Sequence, residues 1–132
     1  MDINRRSLLA SGTALAGLSV FGETTAHAAG SSEVPKGAVI LTAIVKAKPG
    51  QEDAVKEALL SLVEPTRKEA GCLCYNLHQS KGDPTQFMFY EQWASQEALS
   101  AHGKTPHMKA LGEKLKDKTD KGGGVVFYEL LK

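Results

Sequence analysis

From Val39 to Val45 the side chains alternate in period two, and both sets are largely apolar. Val39, Leu41, Ala43 and Val45 point one way, and Ile40 and Ile44 the other. The same holds between Phe87 and Trp93, where Phe87, Phe89 and Trp93 oppose Met88 and Tyr90. Successive side chains of a strand face opposite sides of its sheet. These stretches therefore predict sheet strands that are apolar on both faces. Apolar surface left in water forgoes roughly 25 cal/mol per Å², so a sheet built from them needs a layer of cover on each side.

The remaining chain supplies one such layer. Ala38 to Lys46 reads as strand one and ends at Pro49-Gly50. Gln51 to Glu69 reads as a helix, with Val55, Ala58, Leu59 and Leu62 at helical spacing and Glu52 and Asp53 in its first turn. Pro65 should kink that helix or start a new turn, and Gly71 should end it. Cys72 to Gln79 and Thr85 to Trp93 form a hairpin around Lys81-Gly82-Asp83-Pro84. Ser95 is a helix N-cap, and Thr105-Pro106 starts a further helix whose stripe is Met108, Leu111 and Leu115. Lys116 to Gly124 reads as a mobile loop, and Val125 to Leu131 as the last strand. The order β-α-β-β-α-β predicts a ferredoxin-like α+β fold with its helices on one sheet face. The simplest cover for the other face is a second copy, sheet against sheet, so a homodimer is expected.

The 132-residue chain has room for one ordinary domain. Residues 1–28 read as an export signal of the twin-arginine type. Arg5-Arg6 is the basic pair, Leu8 to Phe21 the mildly apolar stretch, and Ala26-His27-Ala28 the cleavage site. Residues 29–37 read as a polar linker and 38–132 as the domain, exported to the periplasm or beyond. Arg5, Arg6, Asp2 and Glu23 leave with the leader, so the formal charge of +1 is unchanged. A near-neutral domain gives no electrostatic case for nucleic acid or an anionic membrane. No later stretch approaches the ~20 apolar residues that a span needs.

No phosphate-binding loop, dinucleotide fingerprint, nucleophile elbow or zinc spacing is present, and no metal site is expected. His102 and His107 are five apart, on different helical faces or across a break. Cys72 and Cys74 should share one strand face as small, unbridged residues. The informative stretch runs from Tyr90 to His102. Trp93 closes a strand, and Ala98, Leu99 and His102 lie on one helical face. An imidazole is thereby set beside a large aromatic between helix and sheet, where it can act as a general base or sit as a core residue.

Two segments carry a family resemblance. Leu62 to Leu77 (LVEPTRKEAGCLCYNL) and the E-x-W-x-S-x-x-A-x-x-x-H run from Glu91 to His102, followed by Pro106-His107, resemble the antibiotic biosynthesis monooxygenase domain and its small quinol monooxygenases. The resemblance covers Val39 to Leu131. It implies a dimeric α/β barrel that uses O₂ to oxidise a small quinol, phenolic or polyketide-like aromatic, with no flavin, haem or metal cofactor. His102 would then be the base or hydrogen-bond partner and Trp93 the pocket wall. Tyr75, Asn76 and Tyr90 would be polar substrate contacts, and Glu91 a structural partner of Arg67 or of an interface residue. Ala43 stands where haem-degrading relatives carry Asn, so haem cleavage is not expected. Two other functions use the same pocket: an isomerase of a small oxo compound, and a non-catalytic ligand-binding or stress-associated dimer.

Overall fold

The first strand, β1 (Val39–Ala47), lies inside a four-stranded sheet, as its two apolar faces require. The structure is a computed structural model that describes residues 33–132. The expected leader (residues 1–28) and the start of the expected linker lie outside the described residues. After β1 come helix α1 (Glu52–Arg67) and strands β2 (Cys72–Gln79) and β3 (Gln86–Trp93). Helices α2 (Gln96–His102) and α3 (Pro106–Leu115) follow, then strand β4 (Thr119–Tyr128). The sheet order is β2-β3-β1-β4, with every neighbouring pair antiparallel. This is the ferredoxin-like α+β layout. Among the described residues no helix is long and apolar enough to cross a membrane.

Helix α1 buries Val55, Ala58, Leu59, Leu62, Val63 and Thr66 along one stripe. These pack with Leu41, Phe87, Phe89 and Trp93 from the sheet and Leu111 from α3. Pro65 does not stop the helix, which runs on to Arg67. Proline removes one backbone donor inside a helix, and the buried stripe on either side of it holds the turn in place. Beyond Arg67 the chain tightens into short turns, with Glu69 N–H donating to Thr66 C=O at 3.0 Å and Cys72 N–H to Glu69 C=O at 3.2 Å. Those turns set the direction in which Glu69 points.

The hairpin register puts Val39, Leu41, Ala43 and Val45 opposite Trp93, Glu91, Phe89 and Phe87, all on the helix side. Asn76 and His78 face Tyr90 and Met88 on the other side. A register shift falls between Cys72, opposite Trp93, and Cys74, opposite Gln92. The two cysteines therefore do not share a strand face as expected, because a bulge breaks the simple alternation. Both are free thiols.

The largest departure from the sequence reading is β4. The Lys116–Gly124 segment expected as a loop is strand from Thr119 onward, and the strand ends at Tyr128 rather than Leu131. Its glycines occupy a bulge: Ile44 pairs with Gly124 while Lys46 pairs with Asp120. A Cβ on Gly123 would sit 2.4 Å from the Ile44 carbonyl oxygen. Glycine is there because β1 backbone passes against it.

Candidate active site

Trp93 ends β3 fully buried. Its indole Nε1 donates to Glu91 Oε2 at 2.8 Å, two residues back on the same face. Burial pushes the Glu91 carboxyl up, against the Trp93 N–H and nearby His102, which pull it down. Glu91 is thus held by Trp93 and not by Arg67, whose guanidinium goes to Tyr75 C=O, Glu64 and Asn76. Tyr75, 2 % exposed, stacks on Phe89 at 4.6 Å between ring centroids and meets Trp93 edge-on at 6.4 Å. Burial drives its phenol pKa well above the ordinary value, so this hydroxyl keeps its proton. The Cys72 thiol is pushed up to about 11, by burial first and then by the charge of Glu69.

His102 is the last residue of α2. The Ser95 hydroxyl caps that helix by accepting the Ala98 N–H at 3.1 Å. Its ring lies 4.7 Å from Trp93 and 5.5 Å from Tyr75, between centroids. Nδ1 of His102 is 2.8 Å from Glu69 Oε1. A carboxylate can only accept, so Nδ1 carries the hydrogen and, in the neutral ring, the Nε2 lone pair is free. His107, the second residue of α3, donates from Nε2 to the same Glu69 oxygen. Glu69 is 13 % exposed, His102 5 % and His107 24 %, measured on their side chains.

In front of His102 lies a cavity of about 320 Å³. Leu41, Leu59, Phe89, Leu99 and Met108 are among its apolar walls, and its polar groups are Tyr75, Glu91 and His102. None of the described residues lining it is Lys or Arg. On one side it is bounded by Val125 and Phe127 of β4, which are 56 % and 59 % exposed. Cavities of this size suit a small organic ligand held by apolar walls and a few directing polar groups.

The structure brings Tyr75, Trp93 and His102 together. It does not bring in Asn76 or Tyr90, which pair with each other on the far side of the sheet. Asn76 accepts from Arg67 Nη2 at 2.9 Å, and the Tyr90 hydroxyl accepts from Gln92 at 2.8 Å. Trp93 touches His102 but does not itself line the cavity, standing behind Glu91 and His102 instead. Sequence reasoning did not single out Glu69, and it named His107 without assigning it to the site. The break between α2 and α3 folds His107 back toward His102, and both rings meet Glu69.

Known proteins resemble this chain in sequence and in fold. Residues 38–114 match the family model described as antibiotic biosynthesis monooxygenase. Protein sll1783 of Synechocystis is 28% identical over 92 residues, which is 70% of this chain but only 63% of that protein. A 4-hydroxy-5-phosphonooxypentane-2,3-dione isomerase of Klebsiella pneumoniae is 34% identical over 73 residues, 55% of this chain and 74% of that protein. YgiN of Escherichia coli, named as a probable quinol monooxygenase, is 34% identical over 82 residues, 54% of this chain and 79% of that protein. Among solved structures, PA3566 of Pseudomonas aeruginosa superposes with a TM-score of 0.69 at 32% identity, over 73% of this chain and 96% of its own.

Proposed function

The chain belongs to the antibiotic biosynthesis monooxygenase family, and from that premise we propose that its pocket oxidises a small, uncharged hydroxylated aromatic, such as a quinol, with O₂. The observation that carries this reading is the Glu69–His102 pair behind an apolar cavity. The carboxylate fixes the His102 tautomer through Nδ1, which leaves Nε2 as a proton acceptor among apolar walls.

The chemistry needs little more from the protein. Nε2 takes the proton of a ring hydroxyl, and the electron-rich anion that results reduces O₂. Recombination joins one oxygen atom to a ring carbon as a peroxide. That carbon then loses its hydrogen and the O–O bond breaks. The far oxygen leaves as water with that hydrogen and the proton held on His102. The product is the hydroxylated quinone, and all four electrons accepted by O₂ come from the substrate. The Tyr75 hydroxyl, kept protonated by burial, is a donor for the developing anion. The apolar walls keep bulk water from the peroxide.

An isomerase of a phosphorylated oxo compound would also employ a His base. The cavity offers such a substrate no Lys or Arg among its described lining residues, and an unpaired phosphate in apolar surroundings is strongly disfavoured. A second copy of the chain belongs to the same proposal as partner, since β4 leaves Val126 and Tyr128 in solvent.

Oxygen uptake by the purified protein against a panel of small hydroquinones tests the reading. Uptake should require the protein and fall at least ~10-fold in His102→Ala, about 1.4 kcal/mol of barrier. Uptake unchanged in that variant would remove His102 as the base. No uptake with any quinol from a folded protein would overturn the oxidation itself.

A further inference from the structure

We propose that Glu69, His102 and His107 form a binding site for a divalent first-row transition ion of the Zn²⁺ class. Three separate segments deliver the three side chains: the turn after α1, the end of α2 and the start of α3. Their ligating atoms all lie within 4.8 Å of one another. The two imidazoles already address one carboxylate oxygen. Two imidazole nitrogens with one carboxylate oxygen suit Zn²⁺ and its neighbours. Ca²⁺ and Mg²⁺ prefer all-oxygen shells, and soft monovalent copper prefers sulfur.

The spacing is close to what an ion requires. Zn–N and Zn–O bonds of ~2.0–2.2 Å put neighbouring donors roughly 3–4 Å apart. The Glu69 oxygen and His102 Nδ1 stand 2.8 Å apart as hydrogen-bond partners, so the donors need to part by less than about 1 Å to admit the ion. His102 and Glu69 are nearly enclosed and His107 is partly exposed, so the ion would enter past His107. Three protein ligands leave a fourth position for water, the pattern of an open zinc site and not of a closed structural one.

Occupancy has a chemical consequence, and this part rests on the monooxygenase reading. An ion on Nδ1 takes the lone pair there and leaves the ring proton on Nε2. That nitrogen then donates and cannot accept the substrate's proton. Ion and base therefore exclude each other at His102, and a bound ion holds the pocket inactive.

The test is calorimetric titration of the chelator-stripped full chain with Zn²⁺, repeated with Co²⁺ to read its visible absorption. One ion should bind per chain. Glu69→Gln and His107→Ala should each weaken binding at least ~10-fold, the lower bound for losing even a supporting group of a metal site. His78→Ala, on the opposite face of the sheet, should leave it unchanged. Circular dichroism checks that each variant is folded, and His107→Gln replaces His107→Ala if the latter is not. No stoichiometric binding, or equal affinity in Glu69→Gln and His107→Ala, overturns the site. Oxygen uptake should fall as Zn²⁺ fills the site and return with chelator; uptake unchanged at full occupancy overturns the exclusion of ion and base. Uptake absent with and without Zn²⁺ counts against the monooxygenase reading alone and leaves the binding result standing.

Discussion

Glu69 does not line the cavity, yet the chemistry proposed for the cavity depends on it. An imidazole free to choose its tautomer would present Nε2–H to the substrate part of the time, and in that state it cannot act as a base. Glu69 removes the choice by accepting from Nδ1 at 2.8 Å. Glu69→Gln keeps the size of the side chain and removes the charge. An amide can meet Nδ1 with either its oxygen or its nitrogen, so the tautomer is no longer fixed. The expected result is a kcat for quinol-dependent uptake reduced by about 10- to 100-fold, as when a carboxylate that orients a histidine is removed, with KM nearly unchanged. A rise in KM at constant kcat would instead make Glu69 a part of the pocket wall. His102 and Trp93 were legible in the sequence because helical spacing and a strand end put them on facing surfaces. Glu69 was not, because it lies 33 residues from His102 and their meeting depends on how the turn after α1 closes. Tyr90 could have been set aside by parity, since it alternates with Phe89 and Trp93 and must face the other way. Asn76 falls with it through the cross-strand register.

Between elements, the position of Glu69 is set by a close contact on the neighbouring turn. Gly71 has φ +83°, and a Cβ added there would lie 2.6 Å from the Cβ of Ala98 in α2. The same turn carries Ala94 N–H to Gly71 C=O at 2.8 Å, which ties β3 to the entrance of β2. Gly71→Ala therefore meets two costs, a left-handed backbone of about 1–2 kcal/mol and overpacking of about 1–3 kcal/mol. Denaturant unfolding should show a loss of about 2–5 kcal/mol, and what remains folded should have lost uptake out of proportion, because α2 and His102 are displaced together. A loss below ~1 kcal/mol would mean that α2 moves away freely and does not fix the site. Gly71 was readable from sequence as an end signal, since a glycine after a helical stripe has that meaning. Gly122 to Gly124 were misread by the same logic. Local composition shows that glycine is tolerated at a position. It does not show that a neighbouring strand passes close enough to exclude every other residue, as Ile44 does at Gly123.

At the scale of the whole molecule, exposed apolar side chains concentrate on β4. Val125 and Phe127 stand on the helix side, and Val126 and Tyr128 on the other, all between 47% and 59% exposed. Leu130 and Leu131 follow at 55% and 88%. A strand exposed on both faces, with a hydrophobic tail, invites association. The sheet face behind it carries Ile44 and Met88, and among the described residues no helix packs over them, as the alternation in β1 and β3 leads one to expect. Sheet-on-sheet pairing with a second copy would bury Val126, Tyr128 and that face in one step. The self-complementary contact of a two-fold dimer needs no other partner. Closing the β4 side would also shield Val125 and Phe127, which bound the cavity, so assembly and a dry pocket should be gained or lost together. Light scattering after size-exclusion chromatography should give twice the chain mass for the parent protein. Val126→Lys combined with Tyr128→Lys should shift it toward the single chain and lower oxygen uptake in parallel. A parent protein that elutes as a single chain at all concentrations would refute the pairing, and the apolar face of β4 would then need a different cover. A doubly substituted chain that is monomeric yet fully active would keep the dimer and separate it from the chemistry.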